Sequence, residues 1–167
     1  MAQLPRLLTH IFGQWFAMRR HFPETLLQDM TAAIAAGEQT HLGEVRFAVE
    51  PRLSPWSVLE GLDSTTRARQ LFAQLNVWDT EHNTGVLFYV LMAERRIEIV
   101  ADRGIVRHVD QAEWDSICAR MRDRYAKGQW RDGSMQGIAA AHALLTRHFP
   151  AEGTDNPDEL PDRPVLL

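Results

Sequence analysis

Two spacings of apolar residues alternate along the chain, and each predicts a different kind of element. Apolar positions three and four residues apart predict five helices, over 3–20, 23–37, 64–76, 111–127 and 133–148. Strict alternation over 44–50 instead predicts a half-buried strand, with Val45, Phe47 and Val49 on its buried face. Seven consecutive apolar residues over 86–92 are typical of a strand that is buried on both faces and lies centrally in its sheet.

Shorter signals complete the pattern of elements. We expect a turn at 93–94, a second hairpin strand over 95–101 and a loop over 52–63. Pro23 suits the first turn of a helix, where its missing amide hydrogen costs nothing, and Ser64 suits an N-cap. The first helix has an apolar stripe made of Leu4, Leu8, Ile11, Trp15 and Met18.

The order of these elements predicts the architecture. The strand–helix–strand unit over 44–92 forms a right-handed crossover, which makes its strands parallel, while the hairpin over 86–101 is antiparallel. A strand buried on both faces requires helices on both sides of the sheet. The sequence therefore predicts a three-layer α/β/α sandwich around a small mixed sheet. We expect one domain over 1–150, with an N-terminal helical extension over 1–20, and an extended C-terminal tail over 151–167.

Polar residues flank the hairpin at one edge of the predicted sheet. Asp79 and Asn83 precede its first strand and Asp102 follows its second, so antiparallel pairing brings them to the same edge. Carboxylate and amide oxygens are the ligands that Ca²⁺ and Mg²⁺ prefer. These three residues are therefore candidate metal ligands. The alternative is that Asp79 and Asn83 serve only the turn, while Asp102 binds Arg103 or a backbone amide.

A second group of candidate ligands comes from the start of the first strand. Parallel pairing places Glu44 at the same edge, close to Glu38 and His41, which precede it. Asp110 follows Asp102 by eight residues and can reach the edge as well. Glu44 and Asp110 are candidate metal ligands, with His41 and Glu38 as additional ones. The alternative is a local hydrogen bond for His41 and a solvated strand-end charge for Glu44.

Composition narrows the classes of function. The net charge is −4 and the isoelectric point is about 6.0, which argues against a nucleic-acid partner. Cys118 is the single cysteine, so neither an internal disulfide nor a cysteine-rich zinc site is expected. The apolar runs are too short for a transmembrane segment and the N-terminus lacks the pattern of a secretory signal, so we expect a cytoplasmic protein. P-loop, dinucleotide-binding, zincin and nucleophile-elbow motifs are absent from the sequence, and no nucleophile stands out.

Three segments resemble the TPM-domain family, which is named after a thylakoid lumen protein, a photosystem II repair protein and a receptor-modulating membrane protein. They span 78–87, 97–105 and 41–47. The run Glu159-Leu160-Pro161-Asp162 further resembles a short, soluble bacterial branch, often encoded beside a LemA-type protein.

The chain departs from the family pattern at two places. The family has Asp-Asn-Gly before the central strand, whereas this chain has Asn83-Thr84-Gly85. The family has Gly-x-Gly after the hairpin, whereas this chain has Asp102-Arg103-Gly104, and the acidic residue a few positions later matches Asp110. One carboxylate is therefore replaced by an amide and another is gained.

The resemblance implies a Rossmann-like α/β/α sandwich formed by a single TPM-like domain. Some members bind divalent cations and plant relatives are described as weak acid phosphatases. A Ca²⁺ or Mg²⁺ site and weak metal-dependent phosphatase activity are therefore expectations for this chain. The alternative is a non-catalytic interaction module that acts with a LemA-like or other membrane partner. The acidic edge favours the metal site and the missing nucleophile favours the module, while the substrate and the oligomeric state do not follow from the sequence.

Overall fold

A four-stranded mixed sheet forms the centre of the molecule. The computed structural model describes residues 5, 6, 8, 10, 14–151, 153 and 157–167. Within them the strands are β1 (Glu44–Glu50), β2 (Gly85–Leu91), β3 (Arg96–Ala101) and β4 (Val165–Leu166), arranged in the order β3-β2-β1-β4. β1 pairs in parallel with both β2 and β4, and β2 pairs antiparallel with β3. The predicted parallel crossover and antiparallel hairpin are confirmed.

Helices cover both faces of the sheet. They are α1 (Gln14–His21), α2 (Glu24–Glu38), α3 (Pro55–Leu59), α4 (Ser64–Gln74), α5 (Arg103–Val106), α6 (Gln111–Ala126) and α7 (Trp130–His148). Side chains from α1, α2, α6 and α7 pack with alternate strand residues such as Phe47 and Phe88 in the larger core. Side chains from α3 and α4 pack with the other set, such as Tyr89, in the smaller core. The predicted α/β/α sandwich is therefore the observed fold.

β1 is buried along its whole length, so the prediction of a half-buried strand was wrong. Arg46 and Glu50, on its second face, are each only 8% exposed. Arg67 and Tyr89 donate hydrogen bonds to the Glu50 carboxylate, with distances of 2.9 and 2.6 Å to Oε1 and Oε2. Alternation of polar residues misled the prediction because these charged groups are satisfied inside the protein rather than by water.

The segment over 52–63, which we expected to be a loop, contains the short helix α3. Ser54 caps it, since its Oγ accepts a hydrogen bond from Ser57 N at 3.0 Å. The next helix, α4, is capped by Asp63 through Thr66 N at 2.7 Å, and not by Ser64. Apolar periodicity cannot indicate a helix of five residues, because the pattern needs a longer window. The capping residue Ser54 was the available sequence signal for this helix.

Other boundaries also differ from the predictions. Pro23 is the N-cap of α2 rather than its first helical residue, and α7 begins at Trp130 instead of 133. Of the first predicted helix, Met18 is buried but Leu8 is 52% exposed. Leu4, Ile11 and the side chain of Trp15 lie outside the described residues. Among the helices that are described, none is long and apolar enough to cross a membrane.

Candidate metal centre

Three chain segments meet at the edge of the sheet where the parallel strands begin. β1 and β2 start in register, with Glu44 opposite Gly85, and Glu44 N donates to Thr84 O at 3.2 Å. The end of α2 lies next to the start of β1, and the C-terminal segment that leads to β4 passes the same edge. The sequence predicted that the end of α2 and the start of β1 share this edge with the start of β2, as the pairing has it, but it did not place the C-terminal segment there.

Carboxylates from the three segments form one cluster, which we call the metal centre: Glu38, Glu44 and Asp158. One ligand oxygen from each lies within 4.8 Å of the other two. Glu38 ends α2, Glu44 begins β1, and Asp158 belongs to the C-terminal segment. Asp162 lines the same cavity, which has a volume of about 230 Å³.

Backbone amides orient two of these carboxylates. Val45 N donates to Glu38 Oε1 at 2.6 Å, and Leu160 N donates to Glu44 Oε2 at 3.1 Å. Glu44 is 1% exposed, and its Oε1 has no hydrogen-bond partner among the described residues. One buried carboxylate oxygen of the cluster is therefore left without a partner in this part of the chain.

Arg46 holds the C-terminal segment that carries Asp158. Its Nη1 donates to Arg163 O at 2.8 Å and also to Pro161 O. The parallel pairing of β4 with β1 continues this attachment beyond Pro164. Asp158 thus reaches the metal centre because an arginine on β1 fixes the chain a few residues further on.

The carboxylates of the metal centre are costly to ionise together. Burial raises the pKa of Glu38 to about 10, and the neighbouring Glu44 and Asp162 raise it further, against the bond from Val45 N. Burial also raises the pKa of Glu44 to about 7, against the hydrogen bonding of the Leu160 and Glu159 backbone and with the charge of Asp158 adding to the rise. At neutral pH the centre therefore retains protons that a bound cation would displace.

The candidate ligands predicted around the hairpin have surroundings that differ from those of the metal centre. Asp102 is the N-cap of α5, where its Oδ1 accepts from Arg103 N at 2.6 Å and its buried Oδ2 has no partner among the described residues. Asn83 has φ +54°, and its Oδ1 accepts from Arg103 Nε at 2.9 Å. Asp79 and Asp110 are exposed. We call Asp79, Asn83 and Asp102 the hairpin cluster.

His41 forms a buried pair with His142. Its Nδ1 accepts from Gly43 N at 3.0 Å, so its Nε2 carries the hydrogen that it shares with His142 Nδ1 at 2.7 Å. Burial, together with the neighbouring His142, lowers the pKa of His41 to about 4, and burial lowers that of His142 equally, to about 4. Both ring nitrogens of His41 are thus engaged in hydrogen bonds at neutral pH.

Sequence reasoning named Glu38 and Glu44 but missed Asp158. The acidic run over 158–162 was a usable signal, and part of it supported the family resemblance. The sequence around Glu44 could not indicate that Asp158 lies beside it. Asp158 is 114 residues further along the chain, and no sequence periodicity connects the two residues.

A small mixed sheet covered by helices on both faces, with carboxylates gathered where its parallel strands begin, defines an α/β sandwich protein with a candidate cation site. A family model of the TPM domain matches residues 21–144, so the chain belongs to the TPM-domain family. The chain is similar to the BA42 protein of the psychrophilic bacterium Bizionia argentinensis, solved by NMR. The two are 26% identical, with a TM-score of 0.75, over 86% of this chain and 93% of that one. No curated protein sequence matches the chain.

Proposed function

We propose that this TPM domain binds a divalent cation, Ca²⁺ or Mg²⁺, at the metal centre. The observation that carries the proposal is the approach of Glu38, Glu44 and Asp158 to within 4.8 Å of one another, around a buried Glu44 oxygen that lacks a partner among the described residues. Like charges held this closely repel, and a divalent cation between them removes that repulsion while providing the missing partner.

The chemistry of the cluster suits a hard cation. All its ligand atoms are carboxylate oxygens, and Asp162 adds a fourth carboxylate to the same cavity. The amides of Val45 and Leu160 each bond one oxygen of a glutamate, an arrangement that orients a ligand from outside the coordination shell. Asp162 and several water molecules would have to fill the remaining positions, because Ca²⁺ takes about six to eight oxygen ligands and Mg²⁺ about six.

Cation binding at the hairpin cluster is a second, separate proposal. The guanidinium of Arg103 bonds Asn83 and so places a positive charge where a cation would have to approach. The metal centre is favoured over the hairpin cluster, because three carboxylates converge there and burial raises the pKa values of Glu38 and Glu44.

If the cation bound at the metal centre supports catalysis, we expect the activity to be that of a weak metal-dependent phosphatase. A cation at the metal centre would polarise a phosphoryl oxygen or activate a water molecule. Among the described residues that line this cavity there is no serine, cysteine or histidine, so water is the nucleophile that we expect the site to use. We therefore expect slow turnover of phosphate monoesters at most.

An interaction module is the second candidate function. Trp78, in the loop before β2, is 52% exposed, and Val106, on α5 after β3, is 62% exposed. The two side chains lie on segments that flank the same hairpin, and a contiguous apolar patch including both would mark a contact surface. A LemA-like membrane protein as the partner is an expectation from the family resemblance alone.

Isothermal titration calorimetry of chelator-treated protein with CaCl₂ and with MgCl₂ tests the metal centre. Glu44→Gln keeps an oxygen for Leu160 N but removes the charge, so we expect affinity to fall at least about tenfold. Asp79→Asn is the matched control, because it removes one charge from the same edge, and its affinity should stay within about twofold. Wild-type protein that binds neither cation at millimolar concentration, or a loss confined to the Asp79 variant, would show that the site is misplaced.

A further inference from the structure

A second cavity lies at the opposite edge of the sheet, where β2 ends and β3 begins. The described residues that line it enclose a volume of about 560 Å³, and none of them belongs to the metal centre or the hairpin cluster. Volumes of 300–1,000 Å³ are typical of sites for small organic molecules. We call this space the arginine cavity, for the residues at its rim.

Apolar and aromatic residues form the interior of the arginine cavity. Val90 and Ile97, from β2 and β3, contribute aliphatic lining. Trp130 stacks on Tyr125 with ring centroids 4.4 Å apart, and on His21 at 4.3 Å. These three rings belong to α7, α6 and α1, so the aromatic wall is held by three helices and is rigid enough to be preformed.

Three arginines surround this apolar interior: Arg95, Arg96 and Arg122. Arg95 has φ +54° at the hairpin turn, and all three side chains are exposed. No hydrogen bond or ion pair joins their guanidinium groups to another residue within the described part of the chain. By contrast, Arg67 pairs with Glu50, and Arg163 pairs with Glu24.

The charge of the arginine cavity is positive although that of the protein is negative. Asp123 is the one carboxylate among its described lining residues, so the three arginines leave an excess of two positive charges. Burial, together with Arg20, lowers the pKa of His21, which keeps that ring neutral at pH 7. An anion entering the cavity would meet unpaired guanidinium groups that can bind carboxylate or phosphate in two-pronged fashion.

We propose that the arginine cavity is a binding site for a small organic anion that joins a planar apolar body to a carboxylate, sulfonate or phosphate group. The body lies against the aromatic wall and the aliphatic lining, and the charged group lies at the rim against Arg96 and Arg122. Charge complementarity selects the anion, and the apolar interior distinguishes it from free inorganic phosphate. The site is independent of the cation site proposed above.

Fluorescence titration with 8-anilinonaphthalene-1-sulfonate, an aromatic sulfonate, tests this proposal on the full chain. We expect saturable binding of one molecule, weakened roughly fivefold by Arg96→Gln and by Arg122→Gln. Arg107→Gln is the matched control, because Arg107 is exposed and does not line the cavity. Arg96→Lys should restore part of the affinity. In ¹⁵N spectra the indole N–H of Trp130, assigned with Trp130→Phe, should shift on titration.

Two results would overturn the proposal. If the uncharged analogue N-phenyl-1-naphthylamine bound as tightly as the sulfonate, and the arginine variants weakened neither, charge would play no part in binding. Alternatively, sedimentation of wild-type protein at tens of micromolar could show a dimer that Arg96→Gln dissociates, and the occupant would then be a second copy of the chain. Circular dichroism of each variant confirms that a loss of binding is not a loss of folding.

Discussion

The metal centre and the hairpin cluster lie at the same edge of the sheet and contain similar residues, yet their electrostatics differ. In the hairpin cluster, Asp102 caps a helix and Asn83 accepts from the Arg103 guanidinium. In the metal centre, burial raises the pKa of Glu38 to about 10 and that of Glu44 to about 7. Each region has a buried carboxylate oxygen without a partner among the described residues, Asp102 Oδ2 and Glu44 Oε1, but only in the metal centre do further carboxylates crowd it, and a cation would relieve that crowding.

The difference shows that an acidic pattern does not by itself locate a cation site. What distinguishes the two regions is that carboxylates converge in the metal centre, whereas the Arg103 guanidinium bonds Asn83 in the hairpin cluster. Four predictions test this distinction, in order of decreasing effect.

The largest effect should be the pH dependence of cation binding. Binding must displace the proton of Glu38, whose pKa is about 10, so affinity should rise about tenfold per pH unit between pH 7 and pH 9. Below pH 7 the rise should be steeper, because Glu44, with a pKa of about 7, is then protonated too. Calorimetry at several pH values measures this slope. Exposed carboxylates are ionised by pH 6 in general, so a flat profile would favour a surface site.

Arg46→Met should come next, because it releases the segment that carries Asp158. The variant loses the hydrogen bonds to Pro161 O and Arg163 O, and we expect about tenfold weaker cation binding with a loss of about 1–3 kcal/mol in stability. Calorimetry and urea unfolding measure the two effects. Arg163→Met is the control, since its exposed pair with Glu24 lies outside the metal centre. Cation affinity unchanged in Arg46→Met would mean that Asp158 is not a ligand.

Stability of the cation-free protein should fall as pH rises. Folding raises the pKa of Glu38 from 4.5 to about 10 and that of Glu44 from 4.5 to about 7. The folded state therefore binds more protons than the unfolded state above pH 4.5, and this stability is lost as pH rises through the folded pKa values. Glu38→Gln keeps the acceptor for Val45 N without the charge, so at pH 9 its Tm should exceed that of wild type by about 5 °C. A variant less stable than wild type at pH 9 would contradict the raised pKa.

The smallest effect is expected from the hairpin cluster. Asp102→Ala removes the cap of α5 and should cost about 1 kcal/mol, while Asp102→Asn should cost less because it keeps an acceptor for Arg103 N. Neither variant should change cation affinity beyond about twofold. Thermal unfolding and calorimetry test both statements. If Asp102→Asn alone removed cation binding, the assignments of the two regions would have to be exchanged.

The sequence by itself determined the layered architecture. The apolar run over 86–92 and the alternation over 44–50 identified the paired strands, and chirality and turn length then fixed their parallel and antiparallel pairing. The same connectivity placed Glu38 and Glu44 at the edge where the metal centre lies. These features follow from local periodicity and short connections, which sequence patterns record directly.

Only the tertiary structure decided the rest of the site. The alternating pattern of β1 predicts that Arg46 and Glu50 face solvent. In the structure both are buried and form hydrogen bonds with residues from other segments of the chain. Asp158 joins the metal centre because the C-terminal segment returns to pair with β1, a long-range contact that leaves no periodic trace. Whether a carboxylate is crowded and buried or exposed depends on what packs around it, and for Glu44 and Asp79 only the tertiary structure decided this.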